Sequence, residues 1–150
     1  MKKFILILAA ALGLALAASA QPKAVGVRFG WGAELDYQHY LGGENFLEGS
    51  LGLGSFNHSY FSAVATYNFM IARPDWTPRG NWGFYAGPGA GVIFTNDFAA
   101  GGVVGLAGLE YTFWFPLQLS FDIRPALMIG GDGIVTNGIL NFGLGIRYSF

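Results

Sequence analysis

The chain has 150 residues, of which 53% are hydrophobic and only 11% are charged, against about 25% charged in ordinary soluble domains. It contains no cysteine, which excludes a disulfide framework and a cysteine-linked lipid anchor, and its formal net charge of −1 offers no basic patch for nucleic acid. Beyond residue 20, no unbroken apolar run is long enough to form a membrane helix, so helical spanning is excluded as well.

The N-terminal segment has the pattern of a secretory signal peptide. Two lysines form a short positive region, residues 4–17 are apolar, and residues 18–20 read Ala-Ser-Ala, a small-x-small cleavage site. A retained helical anchor is the weaker alternative, because this apolar run falls short of the roughly 20 residues that span a bilayer. We therefore predict a cleaved signal peptide at residues 1–20 and one domain at residues 21–150, which keeps six basic against nine acidic residues.

From residue 24 onward, alternating segments are separated by Gly, Asn, Asp and Pro. In the clearest segment, residues 117–124, apolar and polar side chains alternate strictly, which is the period of a strand with two unlike faces. One bent strand over residues 24–41 would leave seven strands, but a closed membrane barrel of this class has an even number, so we place a tight turn at residues 30–32. The predicted strands are Ala24–Phe29, Ala33–Tyr40, Phe46–Phe56, Tyr60–Ile71, Trp82–Phe94, Val103–Phe115, Leu117–Ile129 and Gly138–Phe150.

Aromatic residues fall near the two ends of these strands. A soluble sandwich or lipocalin-like barrel has no reason to sort rings by depth, whereas a membrane barrel places them at both interfaces. Residues 84–94 climb about 23 Å at ~3.3 Å per residue and ~45° tilt, close to the ~25 Å apolar band of such barrels. One predicted rim carries Tyr37, Tyr40, Phe46, Tyr67, Phe69, Trp82, Phe84, Tyr111, Phe113, Trp114, Phe115, Tyr148 and Phe150, and the other Phe29, Trp31, Phe56, Tyr60, Phe61, Phe94 and Phe98. The predicted fold is all-β, an eight-stranded antiparallel up-and-down transmembrane β-barrel.

The polar face of each strand would then line a narrow interior. Side chains fill the lumen of an eight-stranded barrel, and a charge in a low-dielectric interior is stable only when it is paired and hydrogen-bonded. We therefore predict a charge network that plugs the barrel against passive flow. Its members are Arg28, Glu34, Asp36, Glu48, Glu110, Asp122, Arg124 and Arg147, and Gln38, Ser50, Thr66 and Asn68 line the same face.

We predict no catalytic, cofactor or metal site. The carboxylates are interpreted as neutralising the arginines rather than as acid–base catalysts. His39 and His58 lie far apart in strand order, and a metal site needs three or four convergent ligands. Residues 87–91 (Gly-Pro-Gly-Ala-Gly) lack the lysine and the following helix of a phosphate loop. We interpret them as a strand segment where missing side chains let the wall bend or bulky interior residues approach.

The C-terminal run LNFGLGIRYSF alternates strictly and ends on Phe150. With the segments GVRFGWGAELDYQHYL, WGFYAGPGAGV and GLEYTFWFPLQLSFDIRPAL, it resembles the small eight-stranded bacterial outer-membrane proteins of the OmpX and OmpW kind, over residues 22–150. The resemblance implies that the final strand carries a signal read by the barrel-assembly machinery. Gly145, Tyr148 and Phe150 match that signal, while Gly143 stands where a polar residue is expected.

These features together predict a non-enzymatic protein of the cell outer membrane, with a structural or small-ligand or lipid-interacting role and no cofactor. The expected partners are outer-membrane lipid and, during biogenesis, the assembly machinery and periplasmic chaperones, and we expect a monomer. Two alternatives stay open. Relatives that modify lipids carry a His with Ser or Asp on the outer rim, so a lipid-modifying enzyme would use His58, beside Ser59, as its base. A soluble lipocalin-like periplasmic binder is the second alternative.

Overall fold

The computed structural model describes a short N-terminal helix and a set of β-strands. The described residues are 2–7, 23–30, 32–41, 43–53, 60–96, 99–130, 133–135 and 140–149, and residues 2–7 are helical. The strands are β1 Lys23–Phe29, β2 Ala33–Tyr40, β3 Phe46–Gly52, β4 Phe61–Ala72, β5 Asn81–Phe94, β6 Ala99–Thr112, β7 Gln118–Gly130, β8 Gly133–Val135 and β9 Leu140–Ser149. None of the helical structure described is both long and apolar enough to cross a membrane. The predicted cleavage site lies outside the described residues, so the signal peptide stays a prediction.

Eight of these strands close into an antiparallel barrel. From β1 to β7, each strand pairs with its neighbours in sequence, and β9 pairs with both β7 and β1, which joins the two edges of the sheet. Strand β8 has three residues, and among the described residues its partner is the end of β7. The predicted all-β, eight-stranded, up-and-down antiparallel barrel is confirmed.

The predicted strand ends agree with the structure in most places. The first hairpin consists of two strands, with Phe29 paired to Ala33 across the turn. Strand β6 begins at Ala99 rather than Val103, because its first residues pair with β5 on one side and β7 on the other. Strand β3 ends at Gly52 rather than Phe56, and residues 54–59 lie outside the described part of the chain.

The two rims of the barrel are named here by what they carry. The terminal end carries both ends of the barrel domain and the turns at residues 41–45, 73–80 and 113–117, and the loop end carries the other connections. Rings at the terminal end touch one another in a continuous series, with centroids 4.6 to 5.9 Å apart. The series consists of Trp76, Trp82, Phe84, Tyr111, Phe113, Trp114 and Phe115.

Side chains alternate between an outer and an inner face on the long strands. On β7, Phe121 is 53% exposed while its neighbour Asp122 is 1% exposed. On β9, Ile146 is 50% exposed while Arg147 is 1% exposed. The barrel strands therefore bury their charged side chains and expose most of their large apolar ones, the reverse of the usual distribution.

A small apolar cluster occupies the interior near the terminal end. Phe46, Tyr85 and Leu106 are at most 2% exposed, and Tyr40 and Met70 pack against them. Tyr40 and Phe46 lie at the terminal end, at the rim where they were predicted, but their side chains face the interior rather than the outer wall. Their positions alternate in phase with the inward-facing residues of β2 and β3, so both side chains point inward even though they lie at strand ends.

Candidate functional site

The inner face of the barrel carries its buried charges and is the candidate functional site. Arg28 lies on β1, Arg124 on β7 and Arg147 on β9, and each is at most 4% exposed. The period of two along a strand brings their side chains to the same side of the wall as the acidic residues. The five carboxylates of the predicted network are also buried, and they are Glu34, Asp36, Glu48, Glu110 and Asp122.

Two arginines and two carboxylates form the first group, which we call the Arg28 cluster. Arg28 donates through Nη2 to Asp122 at 2.5 Å and through Nη1 to Glu34 at 3.4 Å. Arg124 donates through Nη1 to Glu34 at 2.9 Å and through Nη2 to the Ser50 hydroxyl at 3.0 Å. Because β7 and β3 lie four strands apart in the closed ring, Arg124 reaches across the whole interior. The Arg28 cluster has no net charge when its members are ionised.

One arginine and two carboxylates form the second group, the Arg147 cluster. Arg147 donates through Nε to Asp36 at 2.5 Å, and its Nη2 also contacts Asp36. The same Nη2 lies 3.4 Å from Glu48, and Nη1 donates to the Ser120 hydroxyl at 2.8 Å. Gln38 donates through Nε2 to Glu48 at 2.7 Å. Since one arginine serves two carboxylates, this cluster carries a charge of −1 when its members are ionised.

Glu110 is held by neutral donors. The Tyr40 hydroxyl donates to it at 3.0 Å and Gln118 Nε2 donates at 2.9 Å. Within the described residues Glu110 forms no salt bridge, although we had grouped it with the arginines. Its connection to the Arg147 cluster runs through Gln118, whose Oε1 lies 3.5 Å from Arg147 Nη1.

A glycine makes room for the Arg28 cluster. Gly143 on β9 pairs in register with Asp122 on β7, directly beside the Arg28 guanidinium. A Cβ atom built on Gly143 would overlap the Cζ, Nη2 and Nε atoms of Arg28. The resemblance to outer-membrane proteins leads one to expect a polar residue at position 143. The structure gives a physical reason for the glycine, because any side chain there would displace Arg28.

The predicted lining of the interior left out several residues that the structure places there. Gln118 and Ser120 alternate in phase with Asp122, so the period of β7 was a sufficient signal for them. Tyr85 alternates in phase with the buried Gly83 on β5, so the period of that strand was a sufficient signal for it as well.

The other residues singled out by sequence lie elsewhere. His39 accepts or donates a hydrogen bond with the Tyr37 hydroxyl at 3.0 Å, away from the charge clusters. Tyr148 is 55% exposed on β9, and Gly145 faces inward beside Ser120. His58 and Phe150 lie outside the described residues. Among the residues that are described, no three His, Cys, Asp or Glu side chains are grouped so that they could hold a metal ion.

Comparison with family models, curated proteins and solved structures finds no match for this chain. The class of the protein therefore rests on its own geometry. That class is the closed, eight-stranded, antiparallel β-barrel with a charged interior and an apolar outer wall.

Proposed function

We propose that this protein spans the bacterial outer membrane as a β-barrel of the OmpX and OmpW kind. Its role is structural or involves a lipid or small ligand, and it has no catalytic site. The observation that carries the proposal is the inverted polarity of the barrel, with ionised groups inside and large apolar groups outside. Lipid acyl chains are the solvent that suits such an outer wall.

The apolar wall continues around the whole circumference. Every one of the eight barrel strands exposes at least one large apolar side chain by 38% or more, and examples in strand order are Phe29, Leu35, Leu47, Phe69, Val92, Val103, Phe121 and Leu144. Soluble monomers rarely expose contiguous apolar patches larger than a few hundred Å². A lipocalin-like binder needs the opposite arrangement, with apolar side chains lining its cavity, so the wall argues against that alternative.

The ring series at the terminal end supports an interfacial position for that rim. Trp82 donates through Nε1 to Thr77 at 3.1 Å, and Tyr111 donates through its hydroxyl to the Arg79 carbonyl at 3.0 Å. Rings that are apolar on one side and hydrogen-bonded on the other are typical of membrane–water interfaces. We place the terminal end in the periplasm and the loop end outside the cell.

The final strand supports the proposed assembly partners. Tyr148 presents its ring on the outer wall, where an insertion machinery could contact it, and the sequence continues to Phe150. We propose that periplasmic chaperones deliver the chain to the barrel-assembly machinery, which reads this strand, and that the folded barrel is a monomer surrounded by outer-membrane lipid.

Single-cysteine variants test the proposal directly, because the natural chain contains no cysteine. Leu119→Cys and Phe121→Cys should react with a maleimide dissolved in the bilayer, since both side chains lie on the outer wall. Ser120→Cys, between them on the same strand, is the matched control and should be protected. Reaction at position 120 with protection at 119 and 121, or recovery of the unmodified protein in the soluble periplasmic fraction, would refute the membrane assignment.

A further inference from the structure

We infer that the barrel interior contains a proton-binding site, in which Glu48 on β3 is held as a neutral carboxylic acid paired with the Gln38 amide on β2. The proton lies on Glu48 Oε1. The site belongs to the Arg147 cluster and goes beyond the proposed membrane role. It depends on the charges and hydrogen bonds of the interior, and it would exist whichever solvent surrounds the outer wall.

The Arg147 cluster has one positive charge for two carboxyl groups. Arg147 Nη2 contacts Asp36 and also lies 3.4 Å from Glu48, so both carboxyl groups approach the same guanidinium nitrogen. The other two interior arginines, Arg28 and Arg124, donate to different acceptors among the described residues. Two carboxylates that share one buried site repel each other, and a single proton is enough to neutralise the cluster.

Hydrogen bonding shows which carboxyl group takes the proton. The five buried carboxyl groups have two oxygens each, which gives ten, and within the described residues nine of the ten accept a hydrogen bond. The exception is Glu48 Oε1, which is buried and has no donor. A buried oxygen that lacks a donor is unfavourable, whereas a protonated oxygen becomes a donor itself. The proton therefore belongs on Glu48 rather than on Asp36.

Gln38 offers an acceptor for this proton. It lies directly opposite Glu48 in the pairing of β2 with β3, and its Nε2 donates to Glu48 Oε2 at 2.7 Å. The oxygen of the same amide, Gln38 Oε1, is also buried and has no donor among the described residues. An amide and a carboxylic acid can pair at two points, with the amide N–H donating to one acid oxygen and the acid O–H donating to the amide oxygen. One proton thus satisfies two acceptors and removes one buried charge.

The other buried polar atoms without a partner do not replace this proton. The Tyr85 hydroxyl is a donor, but it forms no hydrogen bond with Glu48, Gln38 or any other described residue. It lies beside Gly108 on β6, where an added Cβ atom would meet both this hydroxyl and Asp122 Cβ. None of the remaining atoms of this kind is a carboxylate oxygen, and they are Arg124 Nε, Asn68 Oδ1 and Asn141 Oδ1.

Infrared spectroscopy of the folded chain, in a detergent without ester groups, tests the protonation state. At neutral pH the natural chain should show the carbonyl band of a protonated carboxylic acid, and isotope-labelled glutamate should shift that band. Glu48→Gln should abolish it. Glu110→Gln is the matched control and should keep it, because both Glu110 oxygens accept hydrogen bonds, from Tyr40 and Gln118.

The outcomes that would overturn the inference are definite. Absence of the band from the natural chain would show that Glu48 is ionised, with a water molecule as the donor to its free oxygen. A band that persists in Glu48→Gln would place the proton on another carboxyl group. The labelled natural chain needs no substitution, so this measurement does not depend on the folding of a variant.

Urea unfolding gives an independent test. Glu48→Gln should change the equilibrium constant for unfolding by less than about fivefold, because the new amide can donate to Gln38 Oε1 in place of the acid. Asp122→Asn is an equally small change at a carboxylate whose two oxygens both accept from Arg28. It should raise that constant by at least about a hundredfold. A loss in Glu48→Gln as large as in Asp122→Asn, or failure of Glu48→Gln to fold, would show that Glu48 is needed as an ion.

Discussion

At the scale of single residues, the buried arginines have the largest expected effect on stability. Replacing Arg28 with Met removes the partner that Asp122 and Glu34 share and leaves their charges buried. We expect Arg28→Met to lower the free energy of unfolding by about 3–5 kcal/mol, which urea titration of the refolded barrel would measure. Arg73→Met is the control, since its salt bridge with Glu44 is partly exposed and should contribute no more than about 1 kcal/mol. Equal effects of the two substitutions would contradict the assignment of Arg28 to a sealed interior.

Gly143 gives a second prediction at this scale. A methyl group at this position would meet the Arg28 guanidinium, so Gly143→Ala should displace the arginine and destabilise the barrel by about 1–3 kcal/mol. Gly49→Ala is the matched control on β3, because a Cβ atom there meets nothing within 4 Å. Urea unfolding of both variants distinguishes crowding at position 143 from a general effect of losing a glycine. A general effect would lower the free energy of unfolding of both variants by the same amount.

At the scale of elements, the pairing of β4 with β5 depends on a close backbone approach. A Cβ atom on Gly87 would overlap the carbonyl of Tyr67 on β4. The close approach predicted for this glycine-rich segment is therefore made by the backbone of a neighbouring strand rather than by a bulky interior side chain. Gly87→Ala should push the two strands apart and speed amide hydrogen exchange along β4 and β5. Gly101→Ala on β6 is the control, because its nearest neighbour would lie at an ordinary contact distance of 3.5 Å. Unchanged exchange in the Gly87 variant would show that the wall can absorb the methyl group.

The elements also show how far the sequence determines this fold. Strict alternation predicted β7 and the final strand well, because each has one apolar and one polar face. The start of β6 escaped prediction because Ala99 to Gly102 are all small and carry no alternation. The inward orientation of Tyr40 and Phe46 follows from the phase of their strands. The sequence analysis grouped these rings only by their position at strand ends and so did not predict it.

The composition of the interior was readable from strand phase, whereas its pairings were not. Which carboxylate meets which arginine depends on the stagger of the strands around the barrel, a property of closure rather than of any local segment. Arg28 and Asp122 are 94 residues apart in the chain and meet only because β9 joins β1 to β7. Pairing opposite charges did not predict the partners of Glu110, because its carboxylate accepts hydrogen bonds from a tyrosine and a glutamine.

At the scale of the whole molecule, the interior contacts predict that the barrel is a poor conductor of ions. Arg124 crosses from β7 to β2 and β3, and the apolar cluster around Phe46 fills the interior near the terminal end. In planar bilayers, the natural chain should therefore show no large stable conductance.

Removing these obstructions should change that behaviour. A double variant carrying Phe46→Ala and Arg124→Ser deletes the ring near the terminal end and the side chain that crosses the middle of the barrel. We expect it to conduct in bursts, because water can enter a widened polar lumen whose remaining charges are no longer locked by the crossing arginine. Arg73→Ala, at the surface, is the control and should stay silent. A natural chain that conducts as strongly as the double variant would show that the charge network does not close the barrel, and the side-chain-filled lumen would have to be abandoned.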